Sequence, residues 1–143
     1  GNGKLMAMEG RLYSDKGAYC SIGHFITKKA GLHLAGPYFI PNIKVDTYAY
    51  YTNNTICGPY RGFGILQAAF AHESQMDQLA EKIGMDPWEF RMINALKNGL
   101  STETGQVFDQ GVGFEQTLIC IKEFMDNHDL NENAVDNIEN NSL

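Results

Sequence analysis

The stretch Gly58-Pro59-Tyr60-Arg61-Gly62-Phe63-Gly64-Ile65-Leu66-Gln67 sits where a strand-like pattern gives way to a helical one, and the rest of the chain is read outward from it. Before it, Ile43, Val45, Thr47, Ala49 and Tyr51 alternate with Lys44, Asp46, Tyr48 and Tyr50, the period of a half-buried strand. After it, Leu66, Ala69, Phe70, Met76, Leu79, Ala80 and Ile83 recur at helical spacing over residues 65–83, with Gly84 as a C-terminal cap. Within the junction Pro59 fixes one φ angle, while Gly58, Gly62 and Gly64 let the backbone bend and lie close to a ligand. Arg61 brings a planar, permanently charged fork of donors suited to a carbonyl oxygen, a phosphate or a developing negative charge. An arginine beside glycine also serves as an ordinary surface or salt-bridge residue, so chemistry alone leaves both roles open.

Working toward the N-terminus, residues 36–41 form an extended connection forced by Gly36-Pro37 and Pro41. Residues 21–34 read as a helix carrying Ile22, Phe25, Ile26 and Ala30, weakened by Gly23 and Gly31. Residues 5–13 read as a strand with Met6, Met8 and Leu12 on one face and Glu9 and Arg11 on the other, ended by a turn at Ser14-Asp15-Lys16-Gly17. Thr52-Asn53-Asn54-Thr55 supplies side chains that bond local backbone groups where the second strand becomes the loop.

Working toward the C-terminus, Asp86-Pro87-Trp88-Glu89 combines an N-cap acid, a first-turn proline and a Glu at the third position, which starts a helix expected to reach about residue 97. A loop over residues 102–113 leads to a last amphipathic helix that buries Phe114, Leu118, Ile121 and Met125. Glu73 lies on the apolar stripe of the long helix, so its carboxylate is expected to be largely buried and to need a partner. Arg91, just beyond the tight connection at residues 84–86, is the expected partner; a catalytic carboxylate is the competing reading. Two or three strands and three or four helices predict an α+β fold, a small mixed sheet with helices packed on one face. The expected domain spans residues 1–126, and the Asn-, Asp- and Glu-rich residues 127–143 read as a disordered acidic tail.

Composition bounds the partners. The 143 residues suit one domain with a real core, and 43% hydrophobic residues is ordinary for a globular chain. The formal charge is −6, but Asp129, Glu132, Asp136 and Glu139 lie in the tail, and the rest carries only −2. No basic stripe is available to neutralise phosphates, which argues against nucleic acid. No apolar run approaches membrane-spanning length and no signal-peptide pattern opens the chain, so no membrane partner and a cytoplasmic setting are expected. Cys20, Cys57 and Cys120 are odd in number and widely spaced, which suggests neither a disulfide framework nor a metal site; reduced thiols are expected, with Cys57 a buried structural one. His24, His33 and His72 share no ligand spacing and read as packing or surface residues.

The run Gly36-Pro37-Tyr38-Phe39-Ile40-Pro41-Asn42, then Tyr51-Thr52-Asn53-Asn54, the Arg-Gly-Phe-Gly loop and Gln67 resembles the large, molybdenum-binding subunit of the xanthine dehydrogenase and aldehyde oxidase family. The resemblance continues through Glu73, Met76-Asp77, Leu79-Ala80, Gly84-Met85-Asp86-Pro87, Phe90-Arg91, Asn94, Gly99 and Thr104-Gly105-Gln106, and covers about residues 4–124. It implies part of an enzyme in which molybdenum on a pterin dithiolene delivers a water-derived hydroxyl to an activated carbon of an aldehyde or N-heteroaromatic. A glutamate is the base there, and electrons leave through iron-sulfur centres toward flavin or another acceptor. By the same resemblance Arg61 is the catalytic arginine that orients substrate or stabilises charge developing on it, and Tyr60, Arg61 and Gly62 lie against the cofactor. Tyr60 departs from the usual Phe of the family, which puts the substrate class in doubt.

The segments that carry the family's glutamate base, its earlier glycine-rich cofactor-binding run and its iron-sulfur cysteines have no match in this sequence. The resemblance therefore implies a portion of a large subunit. The remaining domains and the electron-transfer subunits are its expected partners, iron-sulfur and FAD lie elsewhere, and the chain alone is expected to hold no tightly bound cofactor and no metal. The alternative is a non-catalytic module that keeps the scaffold and uses its cofactor face to bind another subunit. Continuation of the reading frame past Leu143 into a glutamate-bearing segment would separate the two.

Overall fold

The computed structural model describes residues 1–19 and 21–128. The tail expected at residues 127–143 falls almost wholly outside these described residues. Two strands and four helices follow in the order β1 (Met8–Asp15), α1 (Gly23–Leu32), β2 (Ile43–Tyr50), α2 (Ile65–Ile83), α3 (Pro87–Asn94) and α4 (Phe114–Asn127).

The fold is α+β, as expected, with a smaller sheet than a mixed one. β1 and β2 form a parallel pair in register from Met8 opposite Ile43 to Asp15 opposite Tyr50. Antiparallel pairing is confined, among the described residues, to the isolated bridges Tyr38–Ala95 and Ser101–Val107. β1 starts and ends later than its apolar pattern predicts, because its limits are set by its partner. The Met8 N–H donates to the Asn42 carbonyl at 2.8 Å, and the polar Ser14 and Asp15 pair with Ala49 and Tyr50. Met6, expected on the inner face, is exposed.

Side-chain alternation gives the sheet one covered and one open face. Helix α1 and the turn after it pack on the covered face at two close approaches: a Cβ on Gly10 would lie 2.4 Å from Leu34 Cδ2, and one on Gly31 would lie 2.5 Å from Thr47 Cγ2. On the open face Tyr13, Tyr48 and Tyr50 stack as a ladder, with 5.1 Å between the Tyr13 and Tyr48 rings, beside the ion pairs of Arg11 with Glu9 and Lys44 with Asp46.

The core has two parts. Ala30, Leu34 and Ala68 join α1 to α2 beneath Met8, Leu12 and Val45. Ala35, Tyr38, Ile40, Met76, Ala80 and Phe90 join α2, α3 and the residue 35–40 connection. The buried row of α2 is therefore Ala68, His72, Met76 and Ala80, rotated from the expected stripe, and Leu66, Phe70 and Ile83 are exposed. Alanine stands at both ends of the row, at Ala68 and Ala80, where neighbouring elements approach closely.

Asp86 caps α3 as its sequence predicts, its Oδ1 accepting from the Glu89 N–H at 2.9 Å. The helix stops at Asn94 rather than near residue 97. Its next residues are drawn into pairing with the 37–39 segment: Phe39 N–H donates to the Asn94 carbonyl at 2.8 Å and Leu96 N–H to the Pro37 carbonyl at 2.9 Å. The buried Asn94 side chain also ties down the N-terminal segment, accepting from Leu5 N–H and donating to the Gly3 carbonyl, each at 2.8 Å. Helix α4 buries Leu118 and part of Phe114, but Ile121 and Met125 are exposed, against expectation.

Candidate functional site

The end of β2 does not run free into the loop; it is stitched to the end of β1. Lys16 N–H donates to the Tyr50 carbonyl at 3.0 Å, Thr52 N–H to Gly17 at 3.2 Å, Ala18 N–H to Asn54 at 3.0 Å and Cys57 N–H to Lys16 at 3.2 Å. Gly17 is required in this ladder. Its φ is +77°, and a Cβ there would lie 2.3 Å from the Thr55 carbonyl oxygen. Asp15 collects the side chains of the same segment: Oδ1 accepts from Gly17 N–H at 2.9 Å and from the Thr52 hydroxyl at 2.6 Å, and Oδ2 accepts from the Asn54 amide. The Thr52 hydroxyl foremost, then the Gly17 N–H and the Asn54 amide, hold this carboxyl below its ordinary value. Only one of the local bonds expected over residues 52–55 is made within the segment, from Asn54 N–H to Thr52 Oγ1. The other side-chain bonds of Thr52 and Asn54 cross to Asp15, which sequence reading had placed in a plain turn.

Beyond Cys57 the chain turns outward. Tyr60 is 97% exposed, Arg61 and Gly62 are exposed beside it, and the Arg61 guanidinium carbon lies 5.8 Å from the centre of the Tyr60 ring. Gly62, Phe63 and Gly64 have φ of 78°, 53° and 91°, three left-handed residues in succession. Phe63 is the one non-glycine among the described residues with positive φ, a conformation that costs on the order of 1–3 kcal/mol. Gly64 pins the loop's far end, because a Cβ on it would lie 2.5 Å from the Ile26 carbonyl oxygen of α1. The site residues expected from sequence, Tyr60, Arg61 and Gly62, therefore form the exposed tip of a loop anchored at Asp15 on one side and at α1 on the other.

The tip is a set of donors. Among the described residues Arg61 has no ion pair, and none of the N–H groups of residues 60–64 donates to a protein group. A guanidinium with unsatisfied amides beside it suits an oxygen-rich, anionic group. No cluster of three or more His, Cys, Asp or Glu side chains among the described residues is arranged to hold a metal ion. Cys57 is an exposed thiol at the base of the loop, not the buried one expected.

Glu73 lies elsewhere and does other work. Its Oε2 accepts from Arg91 Nε at 3.0 Å and Nη2 at 2.8 Å, the expected pair, and its Oε1 accepts from the Tyr38 hydroxyl at 2.8 Å. Arg91 Nη1 also reaches Asp77 Oδ1 at 2.8 Å. The Glu73 side chain is 38% exposed, so it is half-buried rather than largely buried, and the ring of His72 takes the covered position beside it. Burial foremost, and then Glu73, push the Tyr38 hydroxyl well above its ordinary value. Burial pulls Arg91 down, but Asp77 and Glu73 more than offset it and the net shift is upward. Burial lowers His72, with Glu73 opposing. Every charge in the cluster is paired within the fold, which makes it a structural clamp between α2, α3 and the residue 35–40 connection.

A cleft of about 570 Å³ lies between β1 and α2, lined by Leu12, Leu34, Ala68, His72 and Met76 among others. None of Tyr60, Arg61 and Gly62 lines it. No helix of the described residues is long and apolar enough to cross a membrane.

A family model described as the molybdopterin cofactor-binding domain matches residues 1–95. The nicotinate dehydrogenase large molybdopterin subunit of Eubacterium barkeri is 44% identical over 117 residues, which are 82% of this chain and 28% of that protein. The aldehyde oxidoreductase of Megalodesulfovibrio gigas is 40% identical over 73% of this chain and 12% of its own length. Among solved structures, the aldehyde oxidoreductase from Desulfovibrio desulfuricans ATCC 27774 superposes with a TM-score of 0.78 and 30% identity, covering 87% of this chain and 14% of that one. The quinoline 2-oxidoreductase from Pseudomonas putida 86 shares the fold at a TM-score of 0.81 and 24% identity, over 97% of this chain and 18% of that one. This chain thus spans 28% or less of each of these proteins.

Proposed function

Because this chain belongs to the molybdopterin cofactor-binding domain family, among the molybdenum hydroxylases related to xanthine dehydrogenase and aldehyde oxidase, we propose that it contributes the substrate-facing arginine loop of such an enzyme. In this reading the domain formed by residues 1–126 is one portion of a large subunit, completed by further domains and by electron-transfer subunits. The observation that carries the proposal is the exposed tip at Tyr60, Arg61 and Gly62, where charged and neutral donors point outward from a loop fixed at both ends.

The donor set fits the group the family binds. A molybdenum-pterin cofactor offers acceptor oxygens, and the N–H groups of residues 60–64 with the Arg61 guanidinium are what such oxygens need. When bound, that group supplies the redox chemistry, taking a water-derived oxygen to the substrate carbon and accepting an electron pair. Arg61 acts on the substrate. Its fork orients a ring nitrogen, carbonyl or carboxylate and stabilises negative charge that develops there during the reaction. Gly62 carries no side chain, so backbone would be free to approach the cofactor, and Tyr60 would form a wall with a phenol in place of the Phe usual in the family it resembles. An aldehyde or N-heteroaromatic carbon is the substrate class; the 44% identity to a nicotinate dehydrogenase subunit, against 40% to an aldehyde oxidoreductase, favours the heteroaromatic ring.

The test is Arg61→Lys in the complete enzyme, which keeps the charge and loses the planar fork. Turnover is expected to fall by about two to three decades while the unfolding midpoint stays near that of the wild type. A variant that melts several degrees lower with unchanged turnover would make Arg61 structural and end the assignment.

A further inference from the structure

The Arg61 tip is useful only if it is held still, and the structure shows what holds its N-terminal side. Tyr60, Arg61 and Gly62 are exposed, while four backbone hydrogen bonds join residues 16–18, just past β1, to residues 50–57, three of them to Thr52, Asn54 and Cys57. At the centre of that seam one carboxylate gathers three donors: the Gly17 N–H, the Thr52 hydroxyl and the Asn54 side-chain amide. The last two belong to the strand-to-loop segment, and only six residues lie between Asn54 and Arg61. The far end is fixed independently at Gly64, against the Ile26 carbonyl.

We propose that Asp15 is a positioning residue for the Arg61 loop, acting through Thr52 and Asn54; the inference rests on the function proposed for Arg61. Asp15 sits on the exposed outer edge of the β1 end and supports no core residue, so its bonds serve the segment they hold. Both of its oxygens are used as acceptors, one by Thr52 and Gly17 and the other by Asn54. Asn in place of Asp15 would not by itself break the contact, because the Asn54 amide can turn over and offer its oxygen. Asp in place of Asn54 does break it, because two carboxylates then face each other with no donor between them.

That polarity argument supplies a rescue. Asn54→Asp leaves two carboxylates facing each other, whereas Asn54→Asp combined with Asp15→Asn exchanges donor and acceptor and restores the bond. In the complete, molybdenum-loaded enzyme, assayed with nicotinate, xanthine and benzaldehyde, Asn54→Asp is expected to lower kcat at least tenfold for whichever of these the wild type hydroxylates. KM is expected to change less, with molybdenum content and melting temperature near those of the wild type. Hydrogen exchange should quicken over residues 50–62 and stay unchanged over α2. The double exchange should recover at least half of the lost kcat and of the lost protection.

Wild-type kcat and protection in Asn54→Asp would overturn the inference, as would loss of turnover that tracks melting temperature or molybdenum content and is not rescued by the double exchange. Arg61→Lys measured alongside keeps the two ideas apart. If Arg61→Lys abolishes turnover and Asn54→Asp does not alter it, the positioning role alone fails. If Asn54→Asp loosens residues 50–62 and Arg61→Lys turns over normally, the function proposed for Arg61 fails with it.

Discussion

Glu73 ties α2 to α3 and to the residue 35–40 connection, accepting from Arg91 on one oxygen and from the Tyr38 hydroxyl on the other. Its place among apolar neighbours called for a partner, and Arg91 is that partner, at 2.8 Å from the carboxylate. The Tyr38 hydroxyl and the extra Asp77 contact of Arg91 were not legible, since they depend on how the residue 35–40 connection crosses α2. These contacts set the size of the expected effect. Glu73→Gln removes the charge but leaves Arg91 with Asp77 and the Pro87 carbonyl, so Arg91 is not stranded. Loss of one member of a fully buried pair costs about 3–5 kcal/mol, whereas exposed pairs are worth under about 1 kcal/mol. For a carboxylate 38% exposed, a loss of about 1–3 kcal/mol is expected in urea unfolding of the complete subunit. A loss below about 0.5 kcal/mol would mean that the cluster does not clamp the helices.

At the scale of elements, limits were legible where the signal was local. Asp86 and Pro87 placed the start of α3, and Gly84 the end of α2, because caps are made by side chains or glycine conformation within the same turn. Faces were less legible. Hydrophobicity selects Met76 and Ala80 on α2 and Leu118 on α4, which are buried, but also Leu66, Phe70, Ile121 and Met125, which are exposed; the buried row of α2 is completed by Ala68 and His72. Closeness between helices demands small side chains, which carry little hydrophobic signal. The start of α2 depends on such closeness at Gly64, where φ is +91° and the Ile26 carbonyl stands 2.5 Å from where a Cβ would be. Gly64→Ala should therefore destabilise by roughly 1–3 kcal/mol, toward the upper end because of the added clash. The same change should move the loop tip, so turnover of the complete enzyme falls alongside melting temperature. An alanine variant that melts like the wild type would contradict the tight α1–α2 approach.

For the whole molecule, the distribution of exposed apolar surface says what the fold leaves undone. Tyr60, Phe70, Leu66 and the Tyr13, Tyr48 and Tyr50 ladder all face outward, and a two-stranded parallel sheet with one bare face is unusual because parallel sheets are generally covered on both. The donors at the Arg61 tip are likewise unsatisfied within the described residues. On the function proposed for this chain, which spans 28% or less of the relatives compared, these surfaces would meet the other domains of a large subunit, and a cofactor held only from the Arg61 side would be held weakly. The fold class and the loop could be read from sequence because their signals lie within short stretches; the cleft between β1 and α2 could not, because its walls come from residues 5–12, 34, 40 and 67–79, far apart in the chain. The 143-residue chain purified alone is accordingly expected to carry far less than one molybdenum per chain by elemental analysis and to hydroxylate neither nicotinate, xanthine nor benzaldehyde. Stoichiometric molybdenum with pterin on the isolated chain would show that the donors of residues 60–64 suffice to bind the cofactor, and the domain would then be an autonomous cofactor carrier.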